Sequence, residues 1–506
     1  MQVAQVFKNS TDLLDTTVVV NGWVKTCRKQ SGLVFIELND GTTQKGLQIV
    51  AAEYKVDNFN GLSCITTGTS IQATGTLTKS PAKGQLVEMS ATNIKIYQIC
   101  PGDFPMQKVG LPLEFLRENL HLRHRTNRLR AVFKVKSIIE KAIHDFFTER
   151  NYTLVDLPIL TTNACEGGCQ PLLVTSLLNE GTVSSIPRKT NHQVAEEFMR
   201  ECNKTGDGFF GGMAYSDTIK EPIVSTNKID FSKDFFDNPV YLTVSNQLHL
   251  ECFAHGMGPV YTFTPATRGE PSQSTKHLAT FSMLEAEFCF GELSNNIDIS
   301  ESCIKFCIKK ALECEDEMAM LDKACGGKLL PKLQLLASEP FERISHRNAI
   351  GLLRETHCHA PFQEEPLYAG DLTGEHERWL VAHFGKPVVV MYYPKKVKAF
   401  YMPVHHSEEI DGVKIEYVDC YDLLMDIGEV VGGSQRIWSE SELISRMTEL
   451  EIDPAHLSWY VDLRRYGSAP HGGFGLGLER LVAVITGMDN VKDCTSFPIT
   501  IHHCKF

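Results

Sequence analysis

Near the C-terminus, Gly472-Gly473-Phe474-Gly475-Leu476-Gly477-Leu478-Glu479-Arg480 runs alternate glycines straight into an apolar helical pattern, with an arginine where that helix begins. Glycines at 473, 475 and 477 weaken a strand, so the pattern implies a backbone that must lie flat against something bulky. Arg480 falls among Leu478, Leu481 and Val482, where a guanidinium is costly without an anion to pair with. A flat platform beside a fixed guanidinium suits a phosphate-bearing ligand. A Gly-rich turn capped by a salt-bridged arginine gives the same string, so a second constellation has to decide. Residues 260–270 read as one extended run, 271–276 as a polar loop and 277–288 as a second extended run, the pattern of a long antiparallel hairpin. With a period of two, Arg268 and Glu270 share one face of the first strand, and Phe281, Met283, Glu285 and Glu287 share one face of the second. A cation, a carboxylate and an aromatic ring near one loop could hold a phosphate, an amine and a flat base.

The elements that must carry these residues follow from the rest of the chain. A length of 506 residues allows two or more domains, and 42% hydrophobic with 22% charged residues describes an ordinary globular composition. No apolar run reaches the roughly 18–20 residues of a membrane span. The first fifteen residues carry acidic side chains at Asp12 and Asp15 and no apolar core, so neither a signal nor a transit peptide is expected. The sixteen cysteines form no CxxC pair and are expected as free thiols; the CxxxC spacings at 165/169 and 303/307 and His357-Cys358-His359 are weak metal candidates. A formal charge of −12 argues against a general nucleic-acid coat but leaves room for a local basic surface. Arg117, Arg123, Arg125, Arg128, Arg130, Lys134 and Lys136 form such a cluster, either facing RNA phosphates or packed against acidic groups at a junction.

Five short strands are expected in the first hundred residues, at 17–26, 33–38, 47–51, 70–77 and 86–99, punctuated by Asn39-Asp40-Gly41 and Pro81–Gly84. Such spacing suits a small closed barrel of the OB type, which binds single-stranded nucleic acid by stacking bases on exposed aromatics. Prolines 101, 105 and 112 mark a hinge, and residues 178–228 interrupt the remaining pattern with little periodicity.

The two phosphate-suited segments resemble motifs 2 and 3 of the class II aminoacyl-tRNA synthetases, and the run 132–160 resembles motif 1. Within the class the likeness is to the asparagine branch, carried by 242–251, 428–436, 462–467 and Tyr393-Pro394 with 398–402; it covers about 16–176 and 229–500. The resemblance implies an N-terminal all-β OB-type anticodon-binding barrel over 1–100 and a hinge over 101–127. An α+β class II catalytic domain, built on an antiparallel sheet, would follow over 128–506, with an insertion at about 178–228. It further implies a cytoplasmic homodimer that uses ATP and Mg²⁺ to join L-asparagine to its tRNA.

The roles carried over are specific. Arg268 would bridge the α-phosphate and the substrate carboxylate, Arg480 would hold the γ-phosphate, and Phe281 would stack on adenine. Glu270 and His277 would complete the ATP contacts, and Asp422 and Glu429 would hold magnesium, a hard ion that prefers oxygen ligands. Glu166 would receive the substrate ammonium, with Gln247 and Arg436 contacting the amino acid. Arg28, Phe35 and Gln48 would read the anticodon, although strand alternation can equally bury Phe35 in the barrel. Aspartyl relatives place a lysine three residues after the matching glutamine; here that position is Leu250, one cation fewer, which favours a neutral amide substrate. The chain departs from the family pattern at Thr267, Gly269, Lys276, Thr280 and Ile499. An aspartyl enzyme, a non-catalytic RNA-binding descendant and an asparagine-synthesising paralogue are the alternatives at this point.

Overall fold

A computed structural model describes residues 1–81, 85–106, 110–163, 171–178, 186, 188–189 and 229–505. Glu166 and nearly all of the expected insertion lie outside them.

The N-terminal strands β1 (Thr17–Gln30), β2 (Leu33–Asn39), β3 (Leu47–Ala52), β4 (Ser70–Lys79) and β5 (Val87–Gln98) close into a barrel in the order β1-β2-β3-β5-β4. Val34, Ile36 and Leu38 alternate inward with Leu47 and Ile49, as a period of two requires. Val3 and Val6 of the helix Val3–Lys8 join the same core. The alternation leaves Phe35 on the outer face, only partly buried, so the buried alternative for this ring is excluded. Arg28 lies directly opposite Phe35, and Gln48 opposite Glu37.

The second half is built on eight strands in the order β12-β13-β16-β17-β18-β11-β10-β6. These are β6 (Thr153–Leu154), β10 (Val260–Thr267), β11 (Thr280–Cys289), β12 (Glu342–Ser345), β13 (Val388–Met391), β16 (Cys420–Met425), β17 (Gly428–Arg436) and β18 (His471–Gly477). The central strands are antiparallel as expected, but β6 and β12 pair parallel to their neighbours at the two edges, making the sheet mixed. Two smaller sheets flank it: β7 (Leu160–Thr161), β8 (Leu173–Val174) and β9 (Val240–Leu242), and the hairpin β14 (Val404–Ile410) with β15 (Val413–Val418).

The helix Asn127–Thr148 lays Val132, Val135, Ile139, Ile143, Phe146 and Phe147 against the sheet and the helix Leu293–Leu312. Phe147 stacks on Tyr261 at 4.7 Å between centroids, and each fully buried ring of this kind contributes roughly 1.5–3 kcal/mol. The apolar face of this helix is thus satisfied within its own chain. Leu154 and Ile159 in the segment that follows the helix are exposed, as are Leu172 and, on β8, Leu173.

The segment expected as a hinge carries the helix Leu113–Glu118 and a fully buried arginine, Arg123. Arg123 donates to the carbonyls of Lys492, Thr495 and Ser496, and Arg117 pairs with Asp493 at 2.5 Å. The barrel docks on the first half of the long helix: Arg130 donates to Asn39 at the end of β2 at 2.8 Å, Lys134 to the Thr42 carbonyl in the turn that follows at 2.7 Å, and Lys25 on β1 bonds Asn127. The basic cluster therefore spends much of its charge on internal partners. Among the described residues no helix is long and apolar enough to cross a membrane.

Candidate functional site

The hairpin forms as its spacing predicts, with β10 and β11 in register from Val260↔Glu287 to Thr267↔Thr280. Phe281, Met283, Glu285 and Glu287 all line one cleft, as do Arg268, Glu270 and His277 from the connecting segment, while Thr280 faces away. Strand β18 lies beside β11, and its glycines divide by role. A Cβ on Gly473 would fall 2.2 Å from the Ala286 carbonyl and the Glu287 carboxyl, so close packing of the two strands requires glycine there. Gly475 and Gly477 would meet nothing nearer than 3.7 Å, and both face the cleft. These two leave room for a ligand rather than for a neighbouring strand.

One end of the cleft is cationic. Arg480 is pinned by the backbone carbonyls of Lys276 at 3.2 Å and Glu429 at 2.6 Å, with the Glu429 carboxylate at 3.5 Å. Arg268 sits 5.4 Å over the ring of Phe281, a cation–π distance. His277 accepts or donates at Nδ1 with Ser272 and Ser274, 2.9 and 2.7 Å away, and its Nε2 lies 3.8 Å from Glu270. Burial, with Arg480 next, pushes the His277 imidazole below its ordinary range, so it is neutral near pH 7. Lys276 is tied to Glu377 at 2.5 Å.

Asp422 and Glu429 converge over Gly432, where a Cβ would lie 2.9 Å from one carboxylate and 3.7 Å from the other. Burial, with Glu429 nearby, pushes the Asp422 carboxyl up to about 6 against the pull of Lys398 at 2.8 Å. Burial also works against Glu429, but Arg480, Lys398, Arg268 and Lys276 together hold it below the usual carboxylate range. Two hard oxygen donors beside a phosphate-suited arginine fit magnesium, which commonly takes one or two carboxylates and completes its shell with water and phosphate. Among the described residues no group of three or more histidine, cysteine or acidic side chains could hold a metal, so the candidates at 303/307 and 357–359 lapse, while Cys165 and Cys169 lie outside those residues. All thirteen cysteines described are free.

The other end of the cleft is a buried ionic network. Arg436 donates to Glu287 at 2.5 Å and to Ser434, and lies 5.2 Å over Tyr401. Gln247 donates to Glu251 at 3.1 Å; Arg464 at 2.7 Å and Tyr460 also reach that carboxylate. Burial opposes ionisation of Glu251, yet Arg464 and His471 keep it below the usual range. Glu287 goes the other way: burial, with Glu251 and Glu285 nearby, pushes it up to about 8 against Arg436. Glu285 accepts from Ser245 Oγ at 2.5 Å and from the Asn246 N–H.

Two expectations change here. Leu250 does not line the cleft; it is buried among Val155, Leu157, Ala254 and Val260. Lys398, Glu285 and Glu287 line it without having been assigned a part. For the two glutamates the signal was their shared face with Phe281; for Lys398 no periodicity pointed at the site. Arg28, Phe35 and Gln48 lie on the barrel and not in this cleft.

Residues 113–189 and 219–501 match the family model described as tRNA synthetases class II (D, K and N), and residues 18–97 match an OB-fold nucleic acid binding domain. The chain is 38% identical over 498 residues to an asparagine--tRNA ligase of Porphyromonas gingivalis, covering 98% of this chain and 96% of that one. It is 37% identical over 507 residues to the asparagine--tRNA ligase of Acetivibrio thermocellus, covering 100% and 99%. Among solved structures, asparaginyl-tRNA synthetase from Pyrococcus horikoshii complexed with asparaginyl-adenylate is similar with a TM-score of 0.75 at 28% identity, over 97% of this chain and 96% of that one.

Proposed function

The chain belongs to the class II tRNA synthetases of the D, K and N group, and from that premise we propose that it activates L-asparagine with ATP and transfers it to the cognate tRNA in the cytoplasm. The observation that carries this reading is a single cleft with a phosphate-suited end at Arg268, Phe281 and Arg480 and an amide-suited end at Gln247, Glu285 and Arg436. An adenylate joins those two chemistries in one molecule.

Activation is in-line attack of the asparagine carboxylate on the α-phosphate, with pyrophosphate leaving. Little covalent work falls to the protein, so positioning and charge neutralisation dominate. Arg268 bridges the attacking carboxylate and the α-phosphate. Arg480 holds the γ-phosphate, and Phe281 carries the adenine on its ring face. Glu270 and neutral His277 complete the nucleotide contacts. Asp422 and Glu429 would hold magnesium, which would supply charge neutralisation at the phosphates. Gln247 and Arg436 orient the amino acid, and Glu166 receives its ammonium. The direct test is asparagine-dependent exchange of pyrophosphate into ATP, compared with aspartate and lysine.

On the barrel, Phe35 with Arg28 opposite and Gln48 on the adjacent strand form a stacking and base-reading face for the anticodon. Stacking one base on an aromatic ring is worth roughly 1–3 kcal/mol, so Phe35→Ala is expected to lower charging of tRNA about 10- to 100-fold. Pyrophosphate exchange by the same variant should stay within about twofold of the parent. Equal loss in both assays would remove the barrel from tRNA recognition.

We also infer a two-fold homodimer, the commonest soluble assembly. Leu154 and Ile159 are about half exposed, and Leu172 and Leu173 nearly as much, apolar side chains that a second copy would cover. Sedimentation should give twice the chain mass of 56.6 kDa; a stable monomer at micromolar concentration contradicts this.

A further inference from the structure

Strand β18 pairs with β11 only as far as Gly477↔Met283, after which the chain turns into the helix Leu478–Thr486. The next position on β11, Ser282, has lost its strand neighbour on that side, and Pro265 stands opposite it on β10. The Ser282 N–H is taken instead by Glu479 Oε2 at 3.0 Å. The other oxygen of the same carboxylate, Oε1, accepts from Lys136 Nζ at 2.9 Å, from the helix Asn127–Thr148. Glu479 is almost fully buried and Lys136 mostly so. A charge at this depth persists only with a partner, and both oxygens are committed.

Glu479 is adjacent to Arg480, and Ser282 is adjacent to Phe281. One carboxylate therefore fixes the helix start that bears the γ-phosphate arginine against the strand that bears the adenine ring, and the long helix supplies its countercharge. We propose that Glu479 and Lys136 are positioning residues for the nucleotide, setting the separation between the Phe281 ring and the Arg480 guanidinium. This rests on the nucleotide reading of the cleft. The favourable placement of an acidic residue in the first turn of any helix accounts for a negative charge at 479. It does not account for the carboxylate reaching across to the backbone of β11.

The test is equilibrium dialysis of ATP with the full-length protein, without amino acid, alongside exchange kinetics and thermal melting. Glu479→Gln and Lys136→Met are expected to weaken ATP binding about 10- to 100-fold, the scale of one hydrogen bond to a charged group. The KM for asparagine should move less than about threefold on the same scale, and Lys136→Arg should restore ATP binding to within about threefold of the parent. The paired variant Lys136→Met with Glu479→Met removes both charges together, so it leaves no unpaired buried charge and melts no lower than either single variant. It leaves the Ser282 N–H without an acceptor, and ATP binding stays weak. Recovery of ATP binding in the paired variant would overturn the proposal, because the pair would then serve only to neutralise itself. Parallel losses for ATP and asparagine with a lowered melting temperature would overturn it as well. Failure of the unaltered protein to bind ATP would instead overturn the nucleotide reading.

Discussion

Arg480→Ala is expected to cut asparagine-dependent pyrophosphate exchange about 10²- to 10³-fold, the usual consequence of deleting one preorganised charged contact to a transition state. The guanidinium is held in advance by the carbonyls of Lys276 and Glu429, so no rearrangement is needed when phosphate charge shifts toward the leaving pyrophosphate. Its side chain is about one-fifth exposed. Water can therefore satisfy both carbonyls after truncation, and the melting temperature should move little. Arg268→Ala should fall in the same range, because it loses a phosphate contact and the cation over Phe281 together. Arg480→Lys separates charge from geometry: an ammonium keeps the charge but cannot reproduce the two-pronged donor pattern, so partial activity is the expected result. Exchange within tenfold of the parent in either alanine variant, with a normal melting temperature, would remove these arginines from the chemistry.

The strands and the hairpin were legible because period-two alternation and turn residues dictate them locally. Phe281, Met283, Glu285 and Glu287 fell on one face before any contact was known, and that face is the cleft wall. The glycine run was legible as a platform but not in its division of labour. That Gly473 answers to Glu287, while Gly475 and Gly477 answer to open space, depends on which strand lies alongside. The same holds for Leu250. Its spacing from Gln247 suggested the pocket, yet on the helix Gln247–Met257 the residue one full turn on is Glu251, which bonds Gln247, while Leu250 turns into an apolar cluster. Nor did the basic cluster show where it points. Arg117, Arg123, Arg130 and Lys136 find partners hundreds of residues away or in the barrel, and no local pattern encodes such pairings. The edge strands β6 and β12 are parallel for a similar reason: strand direction at a sheet edge is set by long connections rather than by the few residues of the strand.

With Leu250 outside the cleft, discrimination between asparagine and aspartate falls to the charges that line it. Arg436 is already paired with Glu287 at 2.5 Å, and Glu285 stands on the same face of β11. An asparagine side chain offers both a carbonyl oxygen for the guanidinium and an N–H for a carboxylate. An aspartate side chain offers only acceptors, and would add a negative charge beside Glu285 in a site where burial, with Glu251 and Glu285 nearby, already pushes Glu287 up. Leaving one charged group unmatched in such a pocket is worth several kcal/mol, so asparagine-dependent exchange should exceed aspartate-dependent exchange by at least about a hundredfold. Glu285→Gln tests the source of that gap. Its carboxylate accepts from Ser245 and the Asn246 N–H, and a glutamine oxygen can still accept one of these, so the fold should survive. With one negative charge gone from the wall, aspartate should gain relative to asparagine by about tenfold, roughly 1.4 kcal/mol. An unchanged ratio in this variant would show that Glu285 does not set the selection and would leave it to Arg436 and Glu287. Equal exchange with both amino acids in the unaltered protein would overturn the asparagine assignment itself while leaving the phosphate end of the cleft as it stands.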